Sequence, residues 1–192
     1  DISFPNIRAM LNSGGIIEML KELSWLNYKN ILINDLEHGT GGVRQIGRLC
    51  LIEKAGEFKE KLTRLLQDGT RNTHDKIRIH IFSGLSGGTG GGTFLDACYI
   101  IRHVLEELGK TDALINGYFF LPDVTLSVPG VAGSPFLAKH LKGRGYAALK
   151  ELDYLMNLVE NHDRFVQDYR SFKINTNRTP VDLCNLISSI AS

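Results

Sequence analysis

The stretch that most constrains this chain is Gly84-Leu-Ser-Gly-Gly-Thr-Gly-Gly-Gly-Thr93, which holds six glycines and two threonines. Before it, Ile77, Ile79 and Ile81 alternate with Arg78 and His80, the period of a strand. After it, Leu95, Ile101, Leu105 and Leu108 fall at helical spacing. A chain that passes from strand to helix through so many glycines gives up conformational entropy that a plain turn does not demand. What it gains is backbone able to approach a ligand closely, with N–H groups at a helix start aimed at negative charge. The stretch therefore reads as an anion-binding turn, with the helix beginning near Gly92. It is neither of the two common phosphate loops. No lysine lies between Lys76 and Lys110, so the Walker A pattern fails, and the glycine offsets never complete the dinucleotide fingerprint.

A second unit with the same logic precedes it. Residues 29–34 form a short apolar strand, Asp35-Leu-Glu-His-Gly-Thr-Gly-Gly42 is glycine-rich, and a helix is expected from Val43 through Leu66, with a kink possible at Gly56. Two such units in succession place both loops at the carboxyl edge of one parallel sheet, facing one ligand. Arg44 and Arg48, near the start of this helix, are within reach of a phosphate, although arginines on helices more often pair with acids or face solvent. Residues 6–26 carry apolar residues at helical spacing, broken at Ser13-Gly14-Gly15, which reads as a helix break.

Downstream, residues 111–121 read as a central strand, and 122–145 as a long loop insertion with a short helix around 136–141. Residues 145–159 read as an amphipathic helix, 164–176 as an edge hairpin or irregular arm, and 181–187 as a last buried strand. The whole, 1–192, is one domain. An apolar content of 43% with 22% charged residues is that of a globular protein, and a net charge of +1 supports neither a broad basic face for nucleic acid nor a polybasic membrane anchor. No apolar run approaches the roughly 20 residues that span a bilayer. Cys50, Cys98 and Cys184 are isolated within apolar runs, the pattern of buried reduced thiols in a cytoplasmic protein rather than of a disulfide framework or metal site. His38 is the nearest candidate base to either glycine loop and reads as a solvated or capping residue. No catalytic or metal-ligating residue is assigned.

Ser86-Gly-Gly-Thr-Gly-Gly-Gly92 is similar to the GGGTGTG signature of the tubulin/FtsZ superfamily of filament-forming GTPases, with Ser86 in place of the first glycine and Gly91 in place of the second threonine. Gly39-Thr-Gly-Gly-Val-Arg-Gln-Ile-Gly-Arg48 resembles the FtsZ loop GAGGNPEIGKK, which senses the γ-phosphate. Weaker likenesses follow in family order at Gly117-Tyr-Phe-Phe-Leu-Pro122, at Gly143-Arg-Gly-Tyr-Ala-Ala-Leu-Lys-Glu-Leu152 and at Asp182-Leu-Cys-Asn-Leu-Ile-Ser188. Together they point to a divergent bacterial tubulin-like protein.

The resemblance implies a three-layer Rossmann-like α/β domain, with a mostly parallel sheet and helices on both faces. It implies GTP or GDP as cofactor with Mg2+, self-association into filaments, and no direct contact with nucleic acid. Gly39, Thr40, Gly41 and Gly42 would approach the γ-phosphate. Ser86, Gly87, Gly88, Thr89, Gly90 and Gly91 would cradle the α- and β-phosphates, with the Thr89 hydroxyl in contact. Asp123 would reach the ribose or a magnesium-bound water, and Arg144 a phosphate. The family's first glycine loop and its acidic catalytic loop have no counterpart in the sequence, so the chain reads as a fragment whose hydrolysis is completed between subunits. The alternative is a nucleotide-binding or scaffold domain of the same fold without turnover.

Overall fold

The computed structural model describes residue 40 and residues 42–70, 76–129, 131 and 133–189. The helical pieces expected at 6–26, the strand expected at 29–34 and His38 lie outside these residues. The described elements are α1 (Arg44–Thr70), β1 (Arg78–Gly84), α2 (Gly88–Glu107), β2 (Leu114–Phe120), α3 (Pro122–Leu126), α4 (Pro135–Met156), β3 (Phe165–Asp168), β4 (Lys173–Thr176) and β5 (Leu183–Ile187).

The isoleucine alternation before the glycine run does make a strand. β1, β2 and β5 form a parallel sheet in the order β1-β2-β5, with Ile79 opposite Ile115 and Ser83 opposite Phe119. Parallel neighbours need a crossover, which α2 supplies between β1 and β2. The α/β class with a parallel sheet and helices is thus as expected from the sequence.

The core lies on the face that carries Ile115 and Phe119. There Leu85, Phe94, Cys98, Leu105, Ala148 and Leu152 close over the sheet, with Phe94 edge-on to Phe119 at 5.1 Å between centroids. On the opposite face exposed His80 and Phe82 flank half-buried Tyr118 in a stack. A second apolar cluster forms where the hairpin of β3 and β4 folds back. Phe165, Tyr169 and Ile174 pack on Tyr99, Ile100 and Val104 of α2 and on Ile52 and Ala55 of α1, and Tyr99 stacks on Phe165 at 3.8 Å. Asp182 ties the layers together: its carboxylate accepts from the Ile115 N–H at 2.7 Å and from the Arg102 guanidinium at 3.1 Å.

Four expectations are corrected. The helix after the glycine run begins at Gly88, not near Gly92. The interval 122–145 is not one long loop, because α3 opens directly at Pro122 and α4 runs unbroken from Pro135 to Met156. The start of α4 is set by Pro135 at its first position and by Ser134, whose hydroxyl accepts from the Leu137 N–H at 3.3 Å. The strand expected to be the last buried one, β5, is exposed along most of its length. Cys184 on that strand is accordingly exposed, whereas Cys50 and Cys98 are buried as expected.

Glycine does more than shape turns. Helix α1 meets the first turns of α2 backbone to backbone, because a Cβ on Gly47 would overlap the Gly88 carbonyl oxygen and one on Gly92 would overlap the Arg44 carbonyl oxygen. Neither obstacle is the flexible end of a side chain, so a methyl there must push the helices apart. Gly47→Ala is therefore expected to cost about 1–3 kcal/mol in urea unfolding, as overpacking does. Gly69→Ala, where a Cβ meets nothing within 4 Å, should instead stabilise by about 0.5–1 kcal/mol through helix propensity. Equal effects at the two positions would contradict the close helix contact.

Candidate functional site

The two glycine segments meet at the carboxyl end of β1. The Val43 N–H donates to the Thr40 carbonyl at 2.9 Å, closing a turn in which Gly42 takes a φ of +79°, a left-handed conformation that suits glycine. This turn sits on the first residue of α2. A Cβ on Gly88 would overlap the Thr40 hydroxyl and stand 2.7 Å from both the Gly42 carbonyl carbon and the Val43 nitrogen. From α4, the Arg144 guanidinium lies directly against Gly42, and among the described residues no carboxylate pairs with it. Arg144, Gly42, Thr40 and Gly88 are thereby brought together although they lie on three separate stretches of chain.

The start of α2 is open. Gly87 is its N-cap, and no side chain caps the helix. The first helical bond runs from the Gly91 N–H to the Gly87 carbonyl at 3.1 Å. The amides of Gly88, Thr89 and Gly90 precede any i−4 partner and carry the positive end of the helix dipole. A Cβ at Gly84 or Gly87 would meet nothing within 4 Å, and Thr89 is exposed.

Other candidates fall elsewhere. Because the helix begins four residues earlier than expected, the Gly91 amide is already used within it. A Cβ on Gly90 would stand 2.7 Å from the Gly84 carbonyl oxygen, and one on Gly91 would overlap that of Leu85, so both glycines serve close packing. Ser86 is fully buried, and its hydroxyl has no hydrogen-bond partner among the described residues; it points towards Gly145 on α4. Asp123, in the first turn of α3, accepts from the Ser188 hydroxyl at 2.7 Å and from the Ser189 N–H and hydroxyl at 2.6 and 2.9 Å. Gly39 and Gly41 lie outside the described residues.

Arg44 and Arg48 turn away from the open side and act as braces. The Arg44 Nε donates to the Gly91 carbonyl at 2.8 Å, while the rest of its guanidinium pairs with Glu151 of α4. Arg48 pairs with Asp96 at 2.9 Å and donates to Gln167 at 3.0 Å, and the Tyr169 hydroxyl donates to Asp96 at 2.7 Å. Burial first, and the Asp96 charge second, hold the Tyr169 phenol well above its ordinary range, which keeps it a donor. Asp96 carries only a faint signal in the sequence, a single acid on the apolar face of α2 beside Leu95 and Cys98. These braces line a cavity of about 390 Å³ with Gly92, Phe94, Tyr154 and Phe165, separate from the residues of the open side. Among the described residues no three His, Cys, Asp or Glu side chains gather as a metal site, and no helix is long and apolar enough to cross a membrane.

A family model described as "Tubulin like" matches residues 2–191. No curated protein and no solved structure matches the chain.

The Asp123 cluster has a pH signature. The Ser188 hydroxyl above all, with the Ser189 N–H and hydroxyl, lowers its carboxyl from 3.8 to about 2. A carboxyl lowered by folding contributes stability that is complete above its ordinary value and is lost as the pH falls through about 2. Chemical denaturation between pH 5 and pH 2 should therefore show a smaller fall in midpoint for Asp123→Asn than for the parent protein. Parallel curves would mean that the serine cluster does not hold the charge in solution.

Proposed function

Because the chain belongs to the tubulin-like family, we propose that it is the guanine-nucleotide-binding domain of a filament-forming GTPase. The observation that carries this reading is the meeting of the Thr40–Val43 turn with the uncapped start of α2, beside an arginine that no described acid neutralises. Three amides without helical partners and a helix dipole stand at a turn where Gly84 and Gly87 border open space, and a guanidinium lies against the neighbouring Gly42. That is the donor set an anionic phosphate chain requires. The α- and β-phosphates would lie over Gly87, Gly88 and Thr89, with the γ-phosphate towards Gly42 and Arg144. Magnesium would be carried largely by the nucleotide's own phosphates, since Asp123 spends its carboxylate on Ser188 and Ser189. When bound, the nucleotide supplies the bond to be cleaved. The residues named here bind and orient it, and Arg144 offsets its charge. The acid that activates water would come from a neighbouring copy in the filament.

Gly87 offers a variant that tests the ligand without disturbing the fold. Its φ of −79° suits any residue and its Cβ position is empty, while an acid at a helix start is favourable in itself. Gly87→Glu should therefore keep the parent's denaturation midpoint but lose about a hundredfold or more in GTP and GDP affinity, through charge repulsion against phosphate. Arg144→Ala should weaken GTP by about tenfold and GDP by less. Titration of the full-length protein with GTP, GDP and ATP, followed by fluorescence, reads these effects. A parent protein that binds no nucleotide, or a Gly87→Glu variant that binds as well as the parent, would refute the site. Light scattering and phosphate release then separate the two readings: GTP-dependent scattering with turnover supports the GTPase, and binding with neither supports the scaffold domain.

A further inference from the structure

The charge of the chain is nearly balanced overall, but it is not balanced along α4. From Val124 to Lys150 there is no Asp or Glu, while Lys139, Lys142, Arg144 and Lys150 all fall within this span. Phe136, Lys139, Gly143, Tyr146 and Lys150 recur at intervals of three and four residues, which puts them on one side of the helix over about 21 Å. The opposite side, with Leu141, Ala148 and Leu152, is buried against the core. The outward side is open: Phe136 is 75% exposed and Tyr146 66% exposed, and Lys139, Lys142 and Lys150 are exposed as well. Among the described residues none of these three lysines has an ion-pair partner, whereas Arg44, Lys59 and Arg178 elsewhere on the surface each reach a carboxylate. The eight residues before the helix, 127–134, carry no charge, and Val128 among them is half exposed. Phe136, the most exposed aromatic residue among the described residues, stands at the junction of that uncharged segment with the basic face and is held by an edge contact to His140 at 4.3 Å.

We propose that this face of α4, together with residues 127–129, is a docking surface for membranes that contain anionic phospholipid. The lysines supply attraction to headgroup phosphates, and Phe136 and Val128 supply an apolar tip able to enter the boundary beneath the headgroups. A nucleic acid or an acidic peptide would satisfy the lysines but would leave the uncharged, valine-bearing segment without an apolar partner. A phospholipid surface offers both. The site uses none of the residues assigned to the nucleotide except that Arg144 lies on the same helix, so it stands or falls separately from the nucleotide reading.

Vesicle co-sedimentation of the full-length protein tests this directly. The parent should pellet with vesicles of phosphatidylglycerol and phosphatidylcholine at about 0.1 M salt, remain in solution with phosphatidylcholine alone, and be released at about 1 M salt, where screening is short-ranged. Each lysine near such a surface is worth about fivefold in binding, so reversing Lys139, Lys142 and Lys150 together to Glu should reduce it by about a hundredfold or more. Phe136→Ser should lower it by about tenfold without changing the salt response. Circular dichroism checks that the charge-reversed protein is folded. If it is not, Phe136→Ser and the salt response decide. The proposal is overturned if the parent does not bind anionic vesicles, binds both vesicle types equally, or prefers duplex DNA or polyglutamate to the vesicles in competition. It also fails if the folded variants bind like the parent.

Discussion

The direct backbone contact between α1 and the first turns of α2 is the constraint on which the rest of this structure depends. Helices usually stand 8–10 Å apart because side chains separate them. Here Gly47 lies on the Gly88 carbonyl and Gly92 on that of Arg44, so the intervening layer of side chains is missing. The consequence is positional. The start of α1 carries the Thr40–Val43 turn, so seating α1 this closely lays that turn on Gly88, at the mouth of α2. A wider helix pair would leave the two glycine segments apart, and no common open side would exist for them to border.

Polar braces fix the same contact in register. Glycine contacts are shallow and bury little apolar area, so they resist sliding poorly. Arg44 reaches across to the Gly91 carbonyl and on to Glu151, which ties α1, α2 and α4 at one level. One turn further along, Arg48 meets Asp96, whose carboxylate also receives the Tyr169 hydroxyl. Asp96 is 2% exposed, and removing one partner of a buried pair typically costs about 3–5 kcal/mol because the remaining charge is left uncompensated. The hairpin of β3 and β4 thus does more than cover apolar residues: through Tyr169 it completes the set of donors around Asp96.

Much of this was legible in the residues. The strands through Ile79 and Ile81, at 114–120 and at 183–187 and the helix after Gly92 followed from periodicity, and two glycine units in series implied that Thr40 and Gly42 would come to the run at 84–93. The start of α2 was not legible, because a run of glycines carries no periodic signal and its helicity is imposed by the contact with α1. The unbroken course of α4 was obscured by Gly143 and Gly145, which look like breakers. Gly145 is instead required for packing, since a Cβ there would overlap the Pro122 ring at the start of α3. The partners of Arg44 and Arg48 were not legible because their acids, Glu151 and Asp96, lie 107 and 48 residues away in sequence. Spacing reveals pairs within one helix, not pairs across a fold.

The two departures from the tubulin signature have a physical account in the same terms. A residue larger than glycine at position 91 would drive its Cβ into the Leu85 carbonyl oxygen, so the threonine of the signature cannot stand there while the strand-to-helix turn keeps this course. Ser86, which replaces a glycine, is fully buried beside Gly145 of α4, whose missing side chain makes room for the Pro122 ring. Both changes therefore lie on the packed side of the turn and are matched by their surroundings. The positions on the open side, Gly87 and Thr89, agree with the signature.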